Sequence, residues 1–268
     1  MLTKLLKHEF RATGRFMWVI YAAMVLLSVA ANVSLRFMQD SPSHIIRSIA
    51  VLLVVAWVLS LVVGSIMTFV LLIKRFYQNL LTDEGYLMFT LPGNVHQLVL
   101  SKLITASVWF MASVLVVILC VMIAVFDNEL MTDMLDFFRL AWREMTVKLA
   151  LNSTTIILES LVLLFVSCAG SCLMFYSALA VGYGCVNHKA LKSVLTFFAM
   201  WFALEVLGVL GISGLGNIWF EPDSVWLSMT AMQSFHVSML ISIFVSLAVA
   251  AVFYVITVLN LKKRLNLA

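Results

Sequence analysis

The sequence predicts an all-α integral membrane protein: six transmembrane helices, an N-terminal amphipathic interfacial helix, and a cytoplasmic helix-turn-helix elbow between helices 2 and 3. Three observations carry this. Of 268 residues, 63% are hydrophobic and only 11% are charged, with a mean hydropathy of +1.09, whereas a soluble domain carries about 25% charged residues. Apolar runs of about 20 residues recur along the chain, the length a helix needs to cross about 30 Å of hydrocarbon. A soluble fold would have to hide all these runs beneath very little polar surface, which surface-to-volume scaling does not allow. Finally, Lys and Arg gather beside the apolar runs, where they set membrane orientation. Residues 1–268 therefore read as one transmembrane domain.

The chain opens with MLTKLLKHEFRATGRF. Leu2, Leu5, Leu6 and Phe10 recur at helical spacing, and Lys4, Lys7, Arg11 and Arg15 reach towards phosphate headgroups. That is the pattern of a surface helix over residues 1–15, and equally of a plain positive flank to the first span. His8-Glu9 would begin a zinc-protease motif, but position 12 is Ala12, so its second histidine is missing.

Spans follow over residues 16–35, 49–73, 103–126, 155–181, 194–212 and 237–259. They must be helical, because lipid offers backbone groups no other partner. The first is long enough to remain as a span, and Ala30-Ala31 is weak as a cleavage site. On the outer side, residues 127–150 place Leu130, Met134, Phe137, Phe138, Ala141, Trp142 and Met145 along one face of an interfacial helix. Gly211, Gly214 and Gly216 permit a break before the last outer loop, where Trp219, Phe220 and Trp226 anchor at the interface.

Charge sets the topology. With both termini cytoplasmic, twelve Lys and Arg fall inside and five outside, and most acidic loop residues fall outside. The elbow then lies in the cytoplasm. The formal charge of +4 is explained by these flanks and does not call for nucleic acid. Cys120, Cys168, Cys172 and Cys185 lie in or beside apolar runs. Cys168 and Cys172 share a helical face but lack zinc-site companions, so they read as packing residues.

Two acids sit in spans, Glu159 and Glu205. A charge in the bilayer costs several kcal/mol, so each either lines a path or makes a buried polar contact. Paired acids, a histidine cluster and a Ser–Lys dyad are all missing from the spans, so the chain reads as non-catalytic. A G-x-x-x-x-G-K-[ST] phosphate loop is missing too.

The elbow is KRFYQNLLTDEGYLMFTLPGNVHQLVLSKL, Lys74–Leu103. Phe76, Leu80 and Leu81 continue an amphipathic helix out of the second span. Thr82-Asp83-Glu84-Gly85 makes a turn, and Pro92 biases Leu91 away from helix. Asn94 and Gln97 have the spacing of a capping box that opens the next helix. Such a protrusion suits a docking cytoplasmic partner, or simply links two spans.

The elbow, with LLKHEFRATGR at the start and VLNLKKRLNL at the end, resembles permease subunits of bacterial ATP-binding-cassette transporters. The group is the type-2 exporter superfamily, in its Gram-positive, clostridial-type branch. The resemblance implies a half-transporter of the bacterial cytoplasmic membrane, exporting an amphipathic cargo such as a peptide, lipid-like molecule or drug. Its partners would be cytoplasmic ATPase subunits that bind ATP and Mg2+, a second permease of the same or a sister chain, and membrane lipid. It nominates Tyr77, Leu80, Asp83, Glu84, Tyr86, Phe89, Thr90 and Leu91 for ATPase coupling, with Lys7, Glu9 and Arg11 as a second contact region. The alternative is a non-transport scaffold or sensor that holds a partner with the same elbow.

Overall fold

The computed structural model describes residues 2–40, 44–82, 85, 94–126, 129–148, 153–185, 187–219 and 230–263. All regular structure among them is helical: α1 (Leu2–Asp40), α2 (His44–Leu81), α3 (Val95–Val125), α4 (Glu129–Arg143), α5 (Ser153–Tyr183), α6 (Lys189–Trp219) and α7 (Ala231–Lys263), with a π-helical turn at Glu144–Lys148 after α4. Every helix except α4 is long and apolar enough to cross a membrane, so the six expected spans are present. Their surfaces agree with this. Trp18, Leu26 and Phe244 are 70–73% exposed, a cost that water would not tolerate on this scale but lipid does.

The helices outrun the spans read from hydropathy. α1 has 39 residues and so measures about 58 Å, against about 40–45 Å for a bilayer with its headgroups. Residues 2–15 thus continue without interruption into the first span. Gly214 and Gly216 do not end α6, which stays helical to Trp219. A helical glycine costs only about 1 kcal/mol relative to alanine, less than unpaired backbone groups cost in lipid. Phe220 and Trp226 lie outside the described residues. α4 forms where the outer interfacial helix was expected, with Phe137, Phe138, Leu140 and Trp142 exposed.

The chain divides into two compact units, Met1–Lys74 with Ile104–Arg143, and Arg75–Leu103 with Glu144–Ala268. In the first, Trp109 is the knot. Its indole N–H donates to Thr13 Oγ1 at 2.9 Å, its carbonyl accepts from Tyr21 Oη at 3.0 Å, and Gly14 lies against its ring. Further along, Asn32 donates to the carbonyls of Ala124 and Phe126 at 3.1 and 2.7 Å, pairing groups that the end of α3 leaves orphaned. These pairs occur in the same order along α1 and α3, so the two run parallel. Trp57 donates to Ser28 Oγ at 2.9 Å and Gly64 abuts Met24; here the order is reversed, so α1 and α2 run antiparallel.

Trp109→Phe removes the donor to Thr13 and keeps an aromatic ring there, although a smaller one. The expected loss is about 1 kcal/mol, read as a lower denaturation midpoint of the purified protein in detergent.

The second unit repeats this arrangement. Phe175 stacks on Phe197 at 4.4 Å, Ser177 donates to Met200 Sδ at 3.3 Å, and Gly182 abuts Ser193. The reversed order makes α5 and α6 antiparallel. Glu159 meets His236 and Gly170 lies beside Ala250, so α5 and α7 run parallel. A reciprocal capping box opens α7: Thr230 N donates to Gln233 Oε1 at 3.1 Å, and Gln233 N to Thr230 Oγ1 at 3.4 Å. Cys168 and Cys172 are buried free thiols on α5, in keeping with packing.

Candidate functional site

The second unit contains both ends of the elbow, and each end is tied down. On the α2 side, Phe76 is fully buried and stacks face to face on Tyr176 of α5, with centroids 3.8 Å apart and planes 8° from parallel. One residue on, Tyr77 packs against Tyr183 at 5.0 Å and 57°. Leu80 is also fully buried, because the helical spacing that places Phe76 inward places the residue four later on the same side.

On the α3 side, Asn94 stands at the helix start, and its carbonyl accepts from Gln97 N at 2.8 Å and Leu98 N at 3.3 Å. His96 Nε2 lies 3.1 Å from Lys262 Nζ and its Nδ1 lies 2.9 Å from Tyr254 Oη, both on α7. An ammonium only donates, so Nε2 accepts and Nδ1–H donates to the tyrosine. The two arms also meet each other. With its amide turned to satisfy both neighbours, Asn79 donates to the Arg75 carbonyl at 3.3 Å and accepts from Lys102 Nζ at 3.1 Å. Lys102 is only 4% exposed, and a buried ammonium needs such acceptors.

Between the arms, Gly85 N donates to the Thr82 carbonyl at 2.7 Å, the bond of the expected turn, and Thr82 Oγ1 donates to the Gln78 carbonyl. Asp83, Glu84, Tyr86, Phe89, Thr90 and Leu91 lie outside the described residues. Of the coupling candidates that are described, Leu80 faces the core and Tyr77 is half-buried. In the first unit, Lys7 and Arg11 are exposed whereas Glu9 is buried.

The two intramembrane acids have different surroundings. Glu159 holds both carboxylate oxygens 2.9 Å from His236 Nδ1, with the two side chains 18% and 19% exposed. Glu205 is exposed on α6, on a stretch in which every residue from Trp201 to Leu210 is exposed apart from the half-buried Leu204. Among the described residues, no group of three or more His, Cys, Asp or Glu is placed to hold a metal.

Several of these residues were not signalled by motif. His236 fell one residue outside the span drawn from Val237, so hydropathy assigned it to the loop. The usable signal was topological: α5 and α7 both begin on one side, so an acid near one start and a histidine near the other share a depth. Phe76 and Tyr176 were hidden because stacking partners a hundred residues apart leave no local pattern.

Helix length, apolar exposure and intramembrane pairing define a multi-pass, all-α membrane protein. No protein-family model matches the sequence, and no curated protein or solved structure matches it.

Proposed function

We propose that the chain is the permease subunit of an ATP-driven exporter in a bacterial cytoplasmic membrane, with both termini cytoplasmic. A separate ATPase subunit, carrying ATP and Mg2+, docks on the elbow. One observation carries this: the elbow's arms are clamped to α5 and α7. Phe76 and Tyr77 grip Tyr176 and Tyr183, and His96 grips Tyr254 and Lys262. A linker that only joined two spans would not need both ends fixed to other helices. Clamped, it transmits a push between its ends to α5 and α7 as motion of packed helices. The N-terminal residues Lys7 and Arg11 form the second contact region.

Glu205 supports pairing with a second permease. A carboxyl exposed in an apolar span costs several kcal/mol unless something polar covers it, and Gly208 and Gly211 beside it have nothing within 4 Å of an added Cβ. Another helix can therefore approach closely. The broad apolar spans suit an amphipathic cargo.

Gentle purification of the intact complex tests the reading. The expected result is a co-purifying ATPase whose turnover depends on this chain, together with ATP-dependent export in vesicles. Full-rate flux from the isolated chain without ATP would sink it, as would labelling that places Asp83 on the outer face.

A further inference from the structure

We propose that the cleft between α1, α3 and the start of α4 holds the alkyl chain of an amphiphile whose head donates an uncharged O–H or N–H to Asn32 Oδ1. The whole cleft lies within the first compact unit. Val29 and Asn32 of α1, Leu119, Met122 and Phe126 of α3 and Met131 of α4 line a cavity of about 380 Å³. That is near the small end of ligand sites, which run from about 300 to 1,000 Å³. Among the described lining residues, only Asn32 carries a side-chain amide; the others are apolar.

The bonding of that amide fixes what it offers. Nδ2 donates to the Ala124 carbonyl at 3.1 Å and to the Phe126 carbonyl at 2.7 Å, two acceptors for its two hydrogens. Turning the amide over would set oxygen against both carbonyls, so the network itself assigns Oδ1. An amide oxygen only accepts, and pH does not alter that. Whatever fills the cleft beside Asn32 therefore gains by donating. An ammonium also donates but carries a charge into an apolar span, which is expensive. A hydroxyl or an amide N–H donates without that cost.

The cleft has a polar end and an apolar one. Arg36, one turn beyond Asn32 on α1, reaches the same Phe126 carbonyl at 3.5 Å. In the other direction Val29 precedes Asn32 on α1 and Leu119 precedes Phe126 on α3, so the apolar lining runs back from the amide along this parallel pair. From residue 119 to residue 126 the helix rises about 10 Å, room for a stretch of alkyl chain. Met122 and Met131 adapt their shape to what lies against them. Val29, Leu119 and Phe126 are exposed, so the chain enters sideways from lipid. The site does not rest on the permease reading.

The test uses the full chain in phosphatidylcholine nanodiscs, whose lipid has no O–H or N–H to give Asn32, with methionine methyl groups labelled with carbon-13. The Met122 and Met131 methyl resonances, assigned by their loss in Met122→Leu and Met131→Leu, are expected to shift saturably with dodecanol. Dodecyl methyl ether has the same chain and no donor. It should bind about fivefold more weakly, the worth of one hydrogen bond. In Asn32→Ala that preference should vanish, the two compounds binding alike. Val29→Phe fills the cleft from an exposed position and leaves the amide in place, so it serves even where Asn32→Ala does not fold. It should keep the wild-type denaturation midpoint and lose the dodecanol shifts. Equal affinity for alcohol and ether in the wild type, a preference that survives Asn32→Ala, or dodecanol shifts that persist in Val29→Phe would overturn the proposal. So would shifts that rise without saturating, the mark of partition into the bilayer alone.

Discussion

Gly182→Ala is expected to destabilise the protein by about 3 kcal/mol, the upper end of what an overpacked core site costs. A Cβ built on Gly182 overlaps Ser193 at its hydroxyl, its backbone nitrogen and its Cα. Backbone cannot step aside by changing rotamer, so the first turn of α6 would have to move away from α5. That movement pulls on the Phe175–Phe197 stack and on the contact from Ser177 to Met200, which lie further along the same antiparallel pair. Gly64→Ala is the instructive contrast. Its Cβ would meet the Met24 thioether at 2.5 Å, but that sulfur is at the end of a flexible chain, so a loss below about 1 kcal/mol is expected. Gly208→Ala meets nothing within 4 Å and should leave the monomer's stability unchanged. Denaturation midpoints of the three variants in detergent test the ranking. A Gly182 variant as stable as the Gly208 one would mean that α5 and α6 do not approach this closely.

The same glycines show what could be read before the structure was known. Small residues such as Gly182 mark helix contacts in membranes, but nothing local names Ser193 as its neighbour. The six spans were legible because each is a continuous apolar run, and α4 because Met134, Phe137, Phe138 and Trp142 repeat at helical spacing. Boundaries were less legible. Hydropathy ends where charge begins, whereas a helix continues while its backbone bonds are satisfied, so α2 runs on through Lys74 and Arg75 to Leu81. Leu80 was nominated by the family resemblance and lies on the apolar side of an amphipathic helix; that this side is buried could not be read locally, because Phe76 stacks on Tyr176 of a distant part of the chain. Glu159 was singled out as a costly intramembrane acid, while its partner His236 needed the parallel pairing of α5 with α7.

Reversing the two acids of the elbow, Asp83→Lys with Glu84→Lys, is expected to abolish coupling while leaving the membrane fold intact, and Phe76→Ala should fail in the opposite way. In sequence the acids follow the end of α2 at Leu81, after the buried Phe76 and Leu80, and the stacks that hold the arms do not include them. If the ATPase subunit reads this turn through its own basic groups, reversal replaces attraction with repulsion, costing several kcal/mol at the interface. The double variant should then reach the membrane at wild-type levels but lose its ATPase on purification, with export reduced at least tenfold. Phe76→Ala leaves the turn unchanged and removes a fully buried ring stacked at 3.8 Å, a loss of about 3 kcal/mol in stability. Its ATPase should stay bound and keep hydrolysing ATP, yet export per ATP should fall, because a push on the elbow no longer reaches α5 through a rigid contact. Together the two variants separate holding the partner from transmitting its motion. Unchanged, ATP-stimulated export in the charge-reversed variant would remove Asp83 and Glu84 from coupling. Export and hydrolysis falling in proportion in the Phe76 variant would show that its stack with Tyr176 supports the fold and transmits nothing.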